Sequence, residues 1–211
     1  MGAVSTMLNR EQLRRLLDEV SNELRHERVR AQVYVIGGAA MSLAFSRDRR
    51  TEDVDARIDR GHSALVKVVQ RVGRRHGIAD NWLNEQATTA IPETADHGAQ
   101  TLYESSYLTV TGASAKHLLA MKLYSAREKD RQDIATLVDE LKLRKREEAA
   151  AIYGNLFPDE PLKARAQALL ETVLPGKPSR EGGDPRVQPA AASPPGIERN
   201  QAPGRGVRGV P

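Results

Sequence analysis

The segment TEDVDARI, residues 51–58, carries two aspartates one residue apart. Asp53 and Asp55 alternate with apolar residues, and this period-two pattern predicts a strand with one buried face. Side chains at positions i and i+2 of a strand point the same way, so the two carboxylates should lie close together and repel each other. Mg²⁺, which prefers carboxylate and phosphate oxygens, would remove that repulsion. The pair therefore predicts a metal site for phosphoryl or nucleotidyl transfer, although two aspartates alone could simply occupy the solvent face of an edge strand.

A paired glycine precedes this segment. Gly37 and Gly38 follow the strand-like run AQVYVI and come before the helix-like run AAMSLAF. Such a turn brings free backbone N–H groups and a helix N-terminus to one spot, which is an anion site. Glycine has no Cβ, so a triphosphate can approach the backbone. A plain strand-to-helix turn is the alternative, but the glycines and the aspartates together favour a phosphate and metal site.

A second group of ionisable residues lies in the segment LLAMKLYSAREKDRQDI, residues 118–134. Lys122 stands on an otherwise apolar helix face, where it either extends towards solvent or reaches a phosphate. In a continuous helix Asp133 would lie about 16 Å from Lys122, too far to share one phosphate. A helix break near residues 127–130 would bring an acid back towards the site. In the simpler interpretation Asp130 is an N-cap and Asp133 a surface charge.

The periodicity predicts the elements that position these groups. Most of the helix is expected late in the chain, and residues 78–99 have no clear pattern. The predicted helices are 9–27 with Asn9 as a possible N-cap, 39–45, 62–77, 114–127 and 129–143 (or one helix broken near 127–130), 147–157 and 160–174, and the predicted strands are 31–37, 51–58, 100–105 and 106–112, the last two possibly a hairpin. The fold class is therefore α/β (α+β), a small mixed sheet with a helical C-terminal half.

Length and composition limit the class of protein. The chain has 211 residues, 39% of them hydrophobic, which suits one domain or one domain with a small appendage. It contains no cysteine, which excludes disulfides and thiolate metal sites and agrees with a reducing cytosol. No run is long and apolar enough for a signal peptide or a membrane span. We therefore expect a cytoplasmic protein with no membrane partner.

The net charge of +4 is weak evidence for a nucleic-acid partner, because its distribution is uneven. Residues 175–211 hold six basic and three acidic residues, so the rest of the chain is close to neutral. The same segment is rich in proline and poor in large apolar residues. It cannot bury enough surface to offset its ordering entropy, which predicts a disordered tail.

Taken together, the two motif blocks resemble a known family. Gly37-Gly38, then Arg50-Thr51-x-Asp53-x-Asp55, is similar to the signature of the nucleotidyltransferase superfamily, which has the DNA polymerase β-like fold. The pattern is most similar to the AbiEii/MenT-type toxins of toxin–antitoxin systems, which also carry a helix with a Lys followed by an Arg-rich turn and a D-x-x-D segment. The resemblance covers about residues 30–142 and is specific in the two blocks.

The resemblance implies the domain organisation and the role of each site residue. Residues 1–112 would form a nucleotidyltransferase core with its N-terminal helix, and 113–174 a helical C-terminal part. Asp53 and Asp55 would bind Mg²⁺. The NTP would contact Gly37, Gly38, Arg50, Thr51 and Lys122, although Arg47, Arg49 and Arg57 compete with Arg50 for the triphosphate. The catalytic set would be Asp53, Asp55, Lys122 and Asp130, with Asp133 as the second choice for the third carboxylate.

The resemblance also implies a function. The protein would add nucleotides from an NTP to the 3′ end of tRNA and so block translation, with a cognate antitoxin as its partner. One alternative is transfer of a nucleotidyl or phosphoryl group to a protein hydroxyl. Another is a non-catalytic binding module or antitoxin of the same fold, which the intact Asp53, Asp55 and Lys122 argue against.

Overall fold

The computed structural model describes residues 7–46 and 48–175. The helices are α1 (Arg10–Glu27), α2 (Gly37–Ala40, continued by a π-helical turn, Met41–Phe45), α3 (His62–His76), α4 (Ala115–Ser125), α5 (Arg131–Glu140), α6 (Arg146–Leu156) and α7 (Ala164–Val173). The strands are β1 (Ala31–Val35), β2 (Val54–Arg60), β3 (Leu83–Asn84), β4 (Gln100–Glu104) and β5 (Leu108–Gly112), and single 3₁₀ turns cover Thr88–Ala90 and Glu128–Asp130.

The strands form one mixed five-stranded sheet in the order β3-β2-β1-β5-β4. β1 is antiparallel to β2 and parallel to β5, and β4 pairs with β5 as the predicted hairpin. Val35 and Gly112 are partners where β1 and β5 end. We call this edge of the sheet the site edge, because α2 and α4 both begin just beyond it. The mixed sheet confirms the predicted α/β (α+β) class.

One face of the sheet belongs to the hydrophobic core and the other is largely polar. Buried strand residues such as Val33, Val54 and Val110 share one core cluster with the buried leucines and valines of α1 and α3. Asp55 and Arg57, on the other face of β2, are half-buried and exposed, as the alternation predicts. Asp55 therefore lies on the face that the core does not cover.

The start of β2 differs from the expected one, and the end of α4 decides between one continuous helix and two helices. β2 begins at Val54, so Asp53 and Thr51 precede the strand instead of lying in it. Thr51 uses its backbone N–H and carbonyl to pair with Leu8, at 3.0 and 2.7 Å, which takes it out of the β2 ladder. The expected helix break is present, because α4 ends at Ser125 and Ala126 adopts a left-handed conformation before the 3₁₀ turn and α5.

One further expectation is confirmed, and another falls outside the described residues. Asn9 caps α1 through a capping box with Gln12. The described residues belong to one compact unit. The expected division into a core and a helical part between residues 112 and 113 stays a prediction. The predicted disordered tail, 175–211, lies outside the described residues apart from Pro175. Among the described helices, none combines the length and apolar character needed to cross a membrane.

Candidate active site

The glycine turn and the carboxylate pair meet in space. A Cβ placed on Gly37 would lie 3.1 Å from the Asp55 carboxylate oxygen Oδ2. The adjacent Ile36 N–H donates to the backbone carbonyl of Asp55 at 2.9 Å. Gly37 has a φ of +62°, a left-handed conformation that favours glycine. Residue 37 is therefore restricted to glycine both by its backbone and by the carboxylate beside it.

The first turn of α2 keeps donors that no side chain caps. Its N-cap residue, Ile36, makes no side-chain hydrogen bond to the helix start. The first N–H groups of any helix have no partner within the helix. Gly38 packs tightly against Thr51, since a Cβ there would lie 2.6 Å from the Thr51 hydroxyl oxygen. The turn thus presents backbone donors next to Asp55, and those donors suit a phosphate.

The two aspartates also influence each other electrostatically. Burial, followed by the negative charge of Asp53, raises the pKa of Asp55. Asn84 on β3, the register partner of Asp55, donates its side-chain amide to Asp53 Oδ2 at 3.3 Å. The repulsion expected from the spacing is therefore present. Sequence reasoning missed Asn84, because it lies in a segment without a clear periodicity.

The donor set fits Mg²⁺ bound jointly by protein and substrate. Within residues 7–46 and 48–175, no group of three or more His, Cys, Asp or Glu side chains could hold a metal ion. Asp53 and Asp55 supply two carboxylates, and their repulsion is what a divalent cation relieves. Mg²⁺ is commonly bound through one or two carboxylates, with phosphate oxygens and water completing its coordination. Two carboxylates beside a phosphate turn meet that requirement.

Lys122 lies inside a buried ionic cluster. Its side chain is 5% exposed, and Nζ donates to Asp130 Oδ1 at 2.7 Å and pairs with Asp133 Oδ2 at 2.8 Å. Asp130 and Asp133 are 1% and 3% exposed. Lys122 therefore does not extend into solvent. The interpretation of Asp133 as a surface charge is wrong, because the helix break turns α5 back towards Lys122.

Asp130 accepts hydrogen bonds from several donors. Arg127 Nε donates to Asp130 Oδ2 at 2.9 Å, and the Ser125 hydroxyl reaches the same oxygen at 3.2 Å. Burial alone would raise the pKa of Asp130, but the hydrogen bond from Arg127 and the charge of Lys122 outweigh burial and lower it. Because both carboxylate oxygens are engaged and almost wholly buried, the geometry favours Asp130 as a residue that positions Lys122 over the predicted catalytic role.

The positive charges of this region act on the carboxylate pair. Arg127, Lys122 and Lys129, in decreasing order, each lower the pKa of Asp55, although burial and Asp53 outweigh them. The cations of the second motif block therefore lie near the aspartates of the first. This arrangement favours binding of a polyanion next to Asp55.

Of two neighbouring arginines, Arg49 lies beside the glycine turn. Arg49 Nη2 lies 3.7 Å from the position of a Cβ on Gly38, and Arg49 Nε donates to Asp133 at 3.0 Å. Arg50, which the motif favoured, is exposed and lines a cavity of about 480 Å³ at the start of α1, with Arg14 and Asp48 among its neighbours. Spacing alone could not show which of the two arginines faces the site. The hydrogen bond to Asp133, a residue distant in sequence, fixes the position of Arg49.

The predicted ligand Thr51 has a structural contact of its own. Its side chain is buried, and the hydroxyl donates to the backbone carbonyl of Asp53 at 2.9 Å. That hydrogen bond holds the segment leading into β2. A hydroxyl oxygen can still accept a hydrogen bond while it donates one, so the predicted contact with the NTP stays a prediction.

Comparison with known families agrees with this geometry. A family described as "Nucleotidyltransferase of unknown function (DUF6036)" matches residues 11–169, which include the glycine turn, the carboxylate pair and the buried cluster. This match identifies a protein of the nucleotidyltransferase class. The chain belongs to the DUF6036 family. Neither a curated protein nor a solved structure matches it.

Proposed function

We propose that the protein is an Mg²⁺-dependent nucleotidyltransferase that moves a nucleotide from an NTP to a hydroxyl group of an acceptor. The contact between Gly37 and the Asp55 carboxylate carries this proposal, because it joins a phosphate-binding turn to a metal-binding pair. Membership of a nucleotidyltransferase family supports the reaction class, since such enzymes generally use an NTP and Mg²⁺.

The carboxylates and the glycine turn have different roles: the carboxylates bind the cation, and the turn binds phosphate oxygens. Asp53 and Asp55 hold Mg²⁺, with Asn84 orienting Asp53 through its amide. The bound cation supplies Lewis-acid stabilisation of charge on the reacting phosphate. The N–H groups at Gly37 and Gly38 bind phosphate oxygens at the start of α2.

The buried cluster provides positive charge at a fixed place. Lys122 is held by Asp130 and Asp133, so little side-chain entropy is lost when a triphosphate binds beside it. Arg49, fixed by Asp133, adds a guanidinium near the turn. Arg50 and Thr51 complete the proposed NTP contacts on the strength of the sequence motif. The oxygen of the acceptor hydroxyl then bonds to the α-phosphorus as pyrophosphate leaves, and the hydroxyl proton passes to solvent.

For the acceptor, we propose the 3′ end of tRNA and a role as the toxin of a toxin–antitoxin system. The two motif blocks, residues 37–55 and 118–134, support this proposal through their resemblance to AbiEii/MenT-type toxins. Nucleotides added at that end block aminoacylation. A cognate antitoxin is the proposed partner, and the cytoplasm, where translation occurs, is the proposed location.

Radiolabel transfer tests the proposal. Purified protein is incubated with Mg²⁺, total tRNA and each α-³²P-labelled NTP in turn, beside Asp53→Asn/Asp55→Asn, which keeps side-chain volume but removes both charges. Asp59→Asn is the matched control, because Asp59 lies on the same strand and pairs with exposed Arg57 instead of the site. Label should move to tRNA with the wild type and Asp59→Asn alone.

The other outcomes are equally informative. Label on a protein, with none on tRNA, would move the acceptor to a protein hydroxyl while keeping the reaction class. NTP binding without transfer to either acceptor would favour a non-catalytic module of the same fold. A wild type that binds no NTP in the presence of Mg²⁺ contradicts the proposed function.

A further inference from the structure

A cavity of about 600 Å³ lies beyond the site edge, and none of the site residues described above lines it. It is bounded by the loop of residues 94–98, the first turn of α4 and α6. Leu141, Ile152 and Leu156 contribute to a lining that is mainly apolar. Both its size and its lining are those of a small-molecule site.

The floor of this cavity is a polar network in which Asp96 accepts several hydrogen bonds. Asp96 accepts from the Tyr34 hydroxyl at 2.7 Å, the Ser114 N–H at 2.8 Å and the Gly98 N–H at 3.1 Å. It also lies 3.3 Å from Nδ1 of buried His117. Asp96 therefore already places a negative charge at the start of α4. A second anion there would be repelled, so the cavity suits the uncharged part of a ligand.

The mouth of the cavity offers free polar groups. Asn155 and Lys116 are exposed lining residues, and neither side chain has a hydrogen-bond partner in the described part of the chain. An Asn amide carries both a donor and an acceptor, which is what the edge of a heterocyclic base requires. Apolar walls with such an edge group match a planar aromatic ring that carries polar atoms.

A series of contacts links the cavity to the strand that carries Asp55. Tyr34 on β1 is the register partner of Arg57 on β2, and the Arg57 guanidinium carbon lies 5.0 Å from the centre of the Tyr34 ring. Asp55 shares the Arg57 face of β2, so it is a diagonal neighbour of Tyr34 at about 7–8 Å between Cα atoms. The Tyr34 hydroxyl then reaches Asp96 on the cavity floor. One polar sheet face thus connects the metal pair with the cavity.

We propose that this cavity binds a nucleobase while the phosphate of the same or the adjoining nucleotide lies at Asp55 and the glycine turn. The proposal rests on the proposed function, because it identifies the group that extends from the reacting phosphate. The base comes either from the NTP or from the terminal nucleotide of the acceptor RNA, and binding measurements separate these sources.

Two variants narrow the cavity from opposite sides. Asn155→Trp adds an indole at an exposed position of α6, and Ala115→Leu enlarges a lining residue of α4. Gly154→Trp is the matched control, because residue 154 is outside the lining and a Cβ there meets nothing within 4 Å. Thermal unfolding checks that each variant folds. Dissociation constants are measured for the four NTPs and for inorganic tripolyphosphate, and KM for total tRNA.

If the base belongs to the NTP, both cavity variants weaken NTP binding about tenfold and leave tripolyphosphate binding unchanged, since base stacking has roughly that value. If it belongs to the acceptor, NTP binding is unchanged and KM for tRNA rises about tenfold. Gly154→Trp should match the wild type in every measurement.

Unchanged NTP affinity together with unchanged KM in both folded cavity variants would overturn the inference, and so would equal losses for NTP and tripolyphosphate or an equal effect of Gly154→Trp. In those cases the wild type still binds NTP and transfers label, so the proposed function stands. A wild type without NTP affinity removes both proposals.

Discussion

Two acidic groups of the same chain differ in how their charge is balanced. Asp53 and Asp55 lie beside each other, and burial together with their mutual repulsion raises the pKa of Asp55. Asp130 is more deeply buried, yet Arg127 and Lys122 lower its pKa. The buried cluster contains its own cations, whereas the carboxylate pair has an excess of negative charge that an external cation relieves. The charges of the buried cluster are therefore balanced within the protein, and those of the carboxylate pair favour binding of a cation.

The largest expected effect is on catalysis, when one aspartate of the carboxylate pair is replaced. Asp55→Asn removes one charge of the proposed metal-binding pair and should reduce nucleotide transfer about a thousandfold, as loss of a main electrostatic contact at a reaction centre does. The melting temperature should not fall, because the substitution also removes the repulsion with Asp53. Label transfer and thermal unfolding measure the two effects. A large loss of stability with little loss of transfer would erase the contrast between the regions.

The next largest effect is on the free energy of unfolding, when the buried cluster loses Lys122. Lys122→Met leaves Asp130 and Asp133 buried without their shared cation, and breaking a buried pair in this way costs about 3–5 kcal/mol. Urea unfolding measures the change. Lys116→Met, on the same helix but exposed and without an ion pair among the described residues, should change the free energy of unfolding little. Equal effects of the two substitutions would contradict the assignment of Lys122 to a structural cluster.

The pH dependence of folding sharpens the comparison further. The pKa of Asp130 in the folded protein lies below its ordinary 3.8, so its contribution is complete above that value. The contribution is lost as pH falls from 3.8 through the lower folded pKa. Asp130→Asn should therefore lose stability less steeply than the wild type in this acid range. Urea unfolding at a series of pH values gives both slopes, and parallel slopes would contradict the lowered pKa.

The smallest expected effect distinguishes the neighbouring arginines. Arg49→Gln should weaken NTP binding about tenfold, because loss of one charge-assisted phosphate contact has that size. Arg50→Gln should have a smaller effect, since Arg50 lies exposed towards α1. Equilibrium binding of an NTP with Mg²⁺ compares them, and Arg49→Lys should restore part of the affinity. A larger effect at Arg50 would favour the motif-based assignment over the geometry.

Local patterns predicted much of the fold and part of the site. The alternation around Asp55 gave its face correctly, and the interruption after Lys122 allowed the break between α4 and α5 to be anticipated. The start of β2 was placed three residues early, because the pairing of Thr51 with Leu8 involves residues far apart in the chain. For the same reason Asn84 was missed and Arg49 was named only as an alternative to Arg50, since their partners become neighbours only in the folded protein.

Residue types and their spacing already indicate which chemistry is available: paired carboxylates, a glycine turn and a lysine with two nearby acids. Backbone geometry ties such spacings to a strand face or a helix start, so they can be recognised without the fold. Tertiary packing brings particular members of these groups into contact. It set the Asp55 carboxylate against Gly37, enclosed Lys122 between two acids and placed Asp96 beneath an apolar cavity. Those contacts depend on packing between distant segments, and packing has no local period.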